Sequence, residues 1–292
     1  MESKSPQVAP DDTWWPAPAK LNLMLRVVGR RADGYHLLQT IFQFLDFGDR
    51  LRFRVRDDGI VRRLGELAGV PESHDLVVRA ARLLQQVSGC RLGVDIELDK
   101  RLPMGGGLGG GSSDAATTLA VLNKVWGLKL SSDRLAELGL ELGADVPVFV
   151  RGISAWGEGV GEQLTPVELP EPWYLVLVPD CEVPTAAIFG DPDLTRDSPR
   201  ITIRDFLAGR VENDCLPVVC RRFPEVAGAM DWLARFAEPR LTGTGACVFA
   251  IFPDEEEAQR VRQAAEGRFR AFVARGVNRS PLLMTLGADT SY

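Results

Sequence analysis

Leu21, Leu23, Leu25 and Val27 alternate with Lys20, Asn22, Met24 and Arg26, the two-residue period of a strand with one apolar and one polar face. Lys20 and Asn22 therefore project the same way. The same period recurs where Val94, Ile96 and Leu98 alternate with Asp95, Glu97 and Asp99. Beyond it the period lengthens: Ala115, Leu119, Leu122 and Trp126 fall on one face of a helix, with a serine or Asp114 expected as its N-cap. Further helices are predicted from Asp75 through Val77, Ala81 and Leu84 to Gly89, and from Ser132 through Leu135, Leu138 and Leu142 to Gly143. Gly29 to His36 reads as a charged turn, followed by strands over Leu37 to Phe47 and Arg50 to Val55.

Around residue 160 the character changes. Gly157, Gly159 and Gly161, then Pro166, Pro170 and Pro172, read as a hinge, which divides the chain into domains 1–160 and 161–292. The second half predicts a strand over Trp173 to Val178, a short helix near Thr185, a polar loop and a helix over Pro224 to Phe236. A strand over Cys247 to Phe252, a helix over Asp254 to Ala265 and a strand over Arg270 to Val277 follow. Strands and helices mix without a strict βαβ rhythm, so the fold class is α+β.

Between the strand ending at Asp99 and the helix of Ala115, six of the seven residues from Gly105 to Gly111 are glycine, Leu108 being the exception. Glycine lets backbone N–H groups approach an anion closely, and the first turn of a helix leaves its N–H groups unpaired at the positive end of its dipole. The run therefore reads as a phosphate cradle. It fits neither the dinucleotide fingerprint, being separated from its strand by Pro103 and Met104, nor the Walker pattern, since only Ser112 and not a lysine follows the last glycine.

The composition is that of ordinary globular material: 292 residues, 45% hydrophobic, 25% charged. A net charge of −6 argues against a nucleic-acid binder working by phosphate neutralisation. Arg50 to Arg63 is locally basic but interrupted by Asp57 and Asp58, as on a solvated edge. Five cysteines without a C-x-x-C pair, and only two histidines, fit reduced thiols in a cytoplasmic protein and make a zinc site improbable. No apolar run approaches a membrane span, and the polar stretch from Met1 to Asp12 carries no export or import signal.

Other residues could complete a phosphate site. Lys20 is held on a strand, Asp145 follows a helix end in Gly143-Ala144-Asp145-Val146-Pro147, and Thr242-Gly243-Thr244-Gly245 is a second glycine-hydroxyl turn in the other half of the chain. Two anion-friendly loops, one per half, suggest a ligand in a cleft between them. Tyr35, His36 and Phe189 are ring-bearing residues in loop-like settings where they could stack on a base.

Pro18 to Leu23, Pro103 to Ala116 and Thr242 to Gly245 stand in the order and spacing of the three motifs of the GHMP small-molecule kinases, which this chain resembles from about Trp15 to about Leu283. Gly29 to His36, Gly143 to Phe149, and Pro184-Thr185 with Phe189 resemble the branch acting on a methylerythritol alcohol with a cytidine diphosphate head. The resemblance implies an N-terminal domain like the second domain of ribosomal protein S5 and a ferredoxin-like C-terminal domain. It implies ATP and Mg²⁺ as cofactors, with phosphorylation of the substrate's 2-hydroxyl in isoprenoid precursor synthesis. Pro103, Met104, Gly105, Gly106, Gly107, Leu108, Gly109, Gly110, Gly111, Ser112, Ser113, Thr242, Gly243, Thr244 and Gly245 would hold the nucleotide. Asp145 would be the catalytic acid/base with Lys20 beside it, Asn22 and Thr185 would position the substrate, Tyr35 and Phe189 would sandwich the cytosine, and His36 would bond its edge. Where relatives often carry Asn near the adenine, this chain has Asp75. The alternatives are a GHMP kinase for mevalonate, homoserine or a sugar, or a nucleotide-binding regulator without turnover.

Overall fold

The computed structural model describes residues 12–67 and 69–287, so almost all of the polar N-terminal stretch lies outside the described residues. The chain opens with a long hairpin, β1 (Trp14–Arg30) and β2 (His36–Arg56), turned at Arg31 to Tyr35. Both faces of β1 are covered, and Lys20, Asn22 and Arg26 are as buried as the leucines between them. The alternation correctly gave a strand, but its polar face turns inward, toward a site rather than solvent. The two strands expected over Leu37 to Val55 are one, because Gly48 continues the pairing opposite Pro18. A Cβ at Gly48 would lie 2.1 Å from the Ala17 carbonyl oxygen, so this glycine permits close approach rather than marking a break.

β3 (Val61–Leu64) leads to α1 (Leu76–Ser88), capped by the Asp75 side chain on the Val77 amide and ended by left-handed Gly89, as predicted. β4 (Gly93–Asp99) pairs antiparallel with β2, setting Arg50, Arg52 and Arg54 opposite Asp99, Glu97 and Asp95. The basic stretch is thus one side of a cross-strand ladder of opposite charges on a solvated face. α2 (Gly110–Val125) follows, its face of Ala115, Leu119, Leu122 and Trp126 fully buried. Its N-cap is left-handed Gly109, with no side-chain cap; neither a serine nor Asp114 serves. The helix starts inside the glycine run, so its unpaired amides belong to the loop itself.

α3 (Ser132–Leu142) ends at Gly143 as expected, and after one turn Asp145 begins α4 (Val146–Arg151), a short helix the sequence reading did not foresee. β5 (Ala155–Glu158) and β6 (Gln163–Pro166) form a hairpin carrying Gly157, Gly159 and Gly161, and β5 pairs with β2. Gly157 and Pro166, read as part of a hinge, are therefore tied into the sheet, while Pro170 and Pro172 lie in the link from β6 to β7.

In the second half, β7 (Trp173–Val178) is followed by α5 (Thr185–Phe189), α6 (Ile203–Leu207), α7 (Leu216–Arg222) and α8 (Pro224–Leu233). Then come β8 (Arg240–Leu241), β9 (Val248–Phe252), α9 (Glu255–Ala264), β10 (Arg270–Val277) and α10 (Pro281–Leu286). Strand order β10-β7-β9-β8 with helices between gives the β-α-β-β-α-β plan of a ferredoxin-like unit. β10 also pairs with β2 through Gly276 and Val277, joining the halves in one sheet ordered β3-β4-β2-β10-β7-β9-β8. One buried cluster packs α1, α2 and α4 on the first half, a second packs α7 to α9 on the other, and a third, with Leu21, Met24, Tyr174 and Phe249, lies at the junction.

Candidate active site

β1 places Lys20, 3% exposed, at the junction of the halves. Its Nζ donates to Asn22 Oδ1 at 2.5 Å and to the Gly107 carbonyl at 3.0 Å, and pairs with Asp145 Oδ2 at 3.3 Å. Asp145 stands at the N-cap position of α4, yet its side chain makes no cap bond. The carboxylate is turned to the lysine instead, so an acid that no sequence neighbour of Lys20 supplies arrives through the fold. Asn22 is fixed in turn, its Nδ2 donating to Thr40 Oγ1 at 2.8 Å, and Thr40 Oγ1 donates to the Met24 carbonyl at 2.7 Å. Neither Thr40 nor its distance from Lys20 was signalled by any motif.

The glycine loop lies directly over this group. Its carbonyls are consumed by protein: Gly105 and Gly106 accept from the amides of Ala246 and Cys247, Gly107 from Lys20 Nζ, and Leu108 from the Lys20 amide. That leaves the loop's N–H edge for a ligand. Close approach explains why glycine is required at two positions: a Cβ at Gly107 would lie 2.3 Å from the Thr242 carbonyl, and one at Gly109 would lie 2.7 Å from the Phe149 ring. The second turn is therefore zipped to the first.

A cleft of about 660 Å³ runs along the loop, lined by Lys20, Asn22, Pro103 to Ser112, Asp145, Thr185, Phe189, Gly243 and Thr244. Ser113 and Thr242, predicted with these, are buried and do not line it, and neither does Gly245. Thr242 is a fastener, its Oγ1 accepting from the Asn22 amide at 3.0 Å and donating to Gly107 O at 3.2 Å. Thr244 and Thr185 share a hydrogen bond of 3.0 Å across the cleft wall. Tyr35 and His36 line an adjoining hollow of about 540 Å³ that shares Thr185, Phe189, Ala144 and Val160 with the cleft. Tyr35 is 64% exposed at its mouth, while His36 stacks on Phe189 with ring centroids 5.0 Å apart. One face of Phe189 is thus covered by an imidazole.

At the other end the cleft is lined by Leu67, Val70, Leu76, Met104, His74 and Asp75. Asp75 spends its carboxylate on the α1 cap and on an ion pair with Arg63 Nε at 2.5 Å. Beneath the loop, Lys100 Nζ joins Asp49 at 2.5 Å to Asp114 at 2.9 Å, and Asp49 also accepts from the amides of Arg101 and Leu102. Burial, opposed by Lys100, pushes the Asp114 carboxyl well above the usual range, and burial likewise works against the Lys100 ammonium, which the two carboxylates outweigh. This triad ties the start of the loop to the first turn of α2; Lys100 is adjacent in sequence to the loop's entry, but its partners are not.

Among the described residues no group of three His, Cys, Asp or Glu side chains could hold a metal. The acids near the loop are neutralised by Lys100 and Lys20.

The profile of the GHMP kinases N terminal domain matches residues 75–153, and that of the GHMP kinases C terminal domain matches residues 205–271. A 4-diphosphocytidyl-2-C-methyl-D-erythritol kinase of Pseudomonas paraeruginosa is 62% identical over 267 residues, 91% of this chain and 95% of the relative. The chain belongs to this family of GHMP kinases. A kinase of the same name from Ectopseudomonas mendocina is 60% identical over 273 residues, 94% of each chain. The crystal structure of a 4-(cytidine 5'-diphospho)-2C-methyl-D-erythritol kinase superposes with a TM-score of 0.79 at 33% identity, covering 90% of this chain and 99% of that one. A mevalonate kinase shares the fold at a TM-score of 0.66 and 15% identity. As a GHMP kinase the chain is a small-molecule kinase of α+β class that uses ATP. No described helix is long and apolar enough to cross a membrane.

Proposed function

We propose that the protein transfers the γ-phosphoryl group of ATP to the 2-hydroxyl of 4-diphosphocytidyl-2-C-methyl-D-erythritol, in the cytoplasm. The observation that carries this reading is the continuity of the cleft: the Lys20–Asp145 pair lies between a phosphate loop on one side and a hollow walled by Tyr35, His36 and Phe189 on the other. A mevalonate, homoserine or sugar kinase would have no use for that second wall. The family likeness supports the same substrate.

Phosphoryl transfer asks little covalent chemistry of a protein; it asks for in-line placement and neutralisation of spreading negative charge. The N–H edge of Gly105 to Gly111, with Ser112, grips the phosphates. Ser112, at the end of the loop, would be the side chain placed to hold Mg²⁺, which would supply further charge neutralisation when bound with the nucleotide. Lys20, fixed by Asn22 and Gly107, puts its ammonium beside the transferring group. The substrate oxygen bonds to phosphorus as the bond to ADP breaks, and the hydroxyl proton passes to Asp145 and then to solvent. An alcohol is far too weak an acid for a carboxylate to ionise beforehand, so that proton moves late. Thr185 and Thr244 serve the diphosphate, and a base enters between Tyr35 and the Phe189–His36 stack. Two domains, 1–160 and 161–292, make the walls of the cleft, as the positions of the two family matches support.

ADP release measured with the cytidyl compound, plain methylerythritol, mevalonate and homoserine tests the reading. Turnover is expected with the cytidyl compound alone. Turnover with another acceptor and none with that one would sink it.

A further inference from the structure

Arg196 lies in the loop between α5 and α6, outside every motif the sequence showed. Its guanidinium makes four hydrogen bonds: Nε donates to His36 Nε2 at 3.1 Å, Nη2 to the carbonyls of Phe189 at 2.9 Å and Asp191 at 2.7 Å, and Nη1 to the Leu194 carbonyl at 3.0 Å. Two of the partners belong to the residues whose rings wall the second hollow: Arg196 binds the His36 ring itself and the backbone carbonyl of Phe189. A guanidinium nitrogen can only donate. His36 Nε2 must therefore present its lone pair, and a neutral imidazole that accepts at Nε2 carries its proton on Nδ1. Burial, Arg196 and Arg30 all lower the pKa of His36 below 6.5, so the ring is neutral near pH 7. No described residue takes up Nδ1.

From this geometry we infer that Arg196 is a positioning and specificity-determining residue: it fixes His36 as the Nδ1–H tautomer, a hydrogen-bond donor aimed at a ring acceptor of the pyrimidine, and locks it against Phe189. The inference rests on the proposed cytidyl substrate for its ligand, but not for the tautomer, which is a property of the free protein. It also gives the His36–Phe189 stack a purpose, since the imidazole, laid on one face of Phe189, is held where its Nδ1–H can read the edge of a base in the hollow.

The chain contains only His36 and His74, so ring ¹⁵N shifts of the labelled protein resolve each histidine. In the free wild type at pH 7.5, His36 is expected to show a protonated Nδ1 and a bare Nε2. Arg196→Met, which keeps length and removes every donor, should return His36 to the mixture dominated by Nε2–H that free imidazoles adopt, with His74 unchanged. In kinetics, Arg196→Met should raise KM for the cytidyl substrate by about tenfold, the cost of one lost or mismatched hydrogen bond, with kcat and KM for ATP held within about threefold. Arg196→Lys, which retains one donor, should recover part of the Nδ1–H signature. Should Arg196→Met fold poorly, Arg196→Lys and the wild-type spectrum still decide the matter. A wild-type spectrum with Nε2 protonated, or a tautomer indifferent to Arg196→Met, overturns the inference. Failure of the cytidyl substrate alone, with the ¹⁵N result as expected, overturns the proposed function and leaves the tautomer assignment standing.

Discussion

Thr242→Val separates a residue that holds the site together from one that holds the nucleotide. The hydroxyl is fully buried, accepts from the Asn22 amide and donates to the Gly107 carbonyl. Valine fits nearly the same volume and removes both bonds. The Gly107 carbonyl keeps Lys20 Nζ at 3.0 Å, so its loss is slight. The Asn22 amide is left buried and unpaired, at a cost of about 1–3 kcal/mol. At about 2 °C per kcal/mol for a chain of this size, Tm should fall by roughly 2–6 °C. The two backbone bonds from Ala246 and Cys247 still fasten the loops, so KM for ATP should stay within about threefold of wild type. Calorimetry beside steady-state kinetics reads both quantities. A variant with an unchanged Tm and a KM for ATP raised tenfold or more would show that the hydroxyl touches nucleotide, and the fastener argument would fail.

Asp145→Asn should lower kcat by about 10²- to 10⁴-fold while retaining ATP binding, and a variant within threefold of wild type would remove Asp145 from the chemistry. Tyr35→Ala and Phe189→Ala should each weaken binding of the cytidyl substrate by about 1–3 kcal/mol if the rings stack on its base; unchanged KM values in both would refute the sandwich. Stability should also carry a signature of His36. Its folded pKa lies below 6.5, so between the two values the unfolded chain binds more protons; the contribution is complete above about 6.5 and is lost as pH falls toward the folded pKa. The difference in urea midpoint between pH 7.5 and pH 5.0 should therefore shrink in His36→Asn, and an equal difference would contradict the direction of the shift.

Periodicity carried most of the architecture, because each pattern reports which face of one element is buried, and that is a local property. β4, α1, α3, β7, β9 and β10 appear where alternation, caps and terminal glycines put them. It failed where glycine served two purposes. Gly48 resembles a break but permits close packing against β1, and Gly109 to Gly111 look like loop yet begin α2. Short elements such as α4, α6 and α7 carry too few turns for a period to emerge.

The chemistry of the site divides along the same line. The chain order alone supplied a phosphate loop, a lysine and an asparagine on one face of a strand, an acid and a second glycine turn, since each is a property of a few adjacent residues. Only the folded chain decided that Asp145 reaches Lys20 across 125 residues, that Thr242 is a buried fastener while Ser112 lines the cleft and Ser113 does not, and that Arg196 donates a hydrogen bond to His36 from a loop with no pattern of its own. Those facts depend on distances between segments remote in sequence, set by the sheet that joins β2 to β10 and by which polar groups find partners as water is excluded.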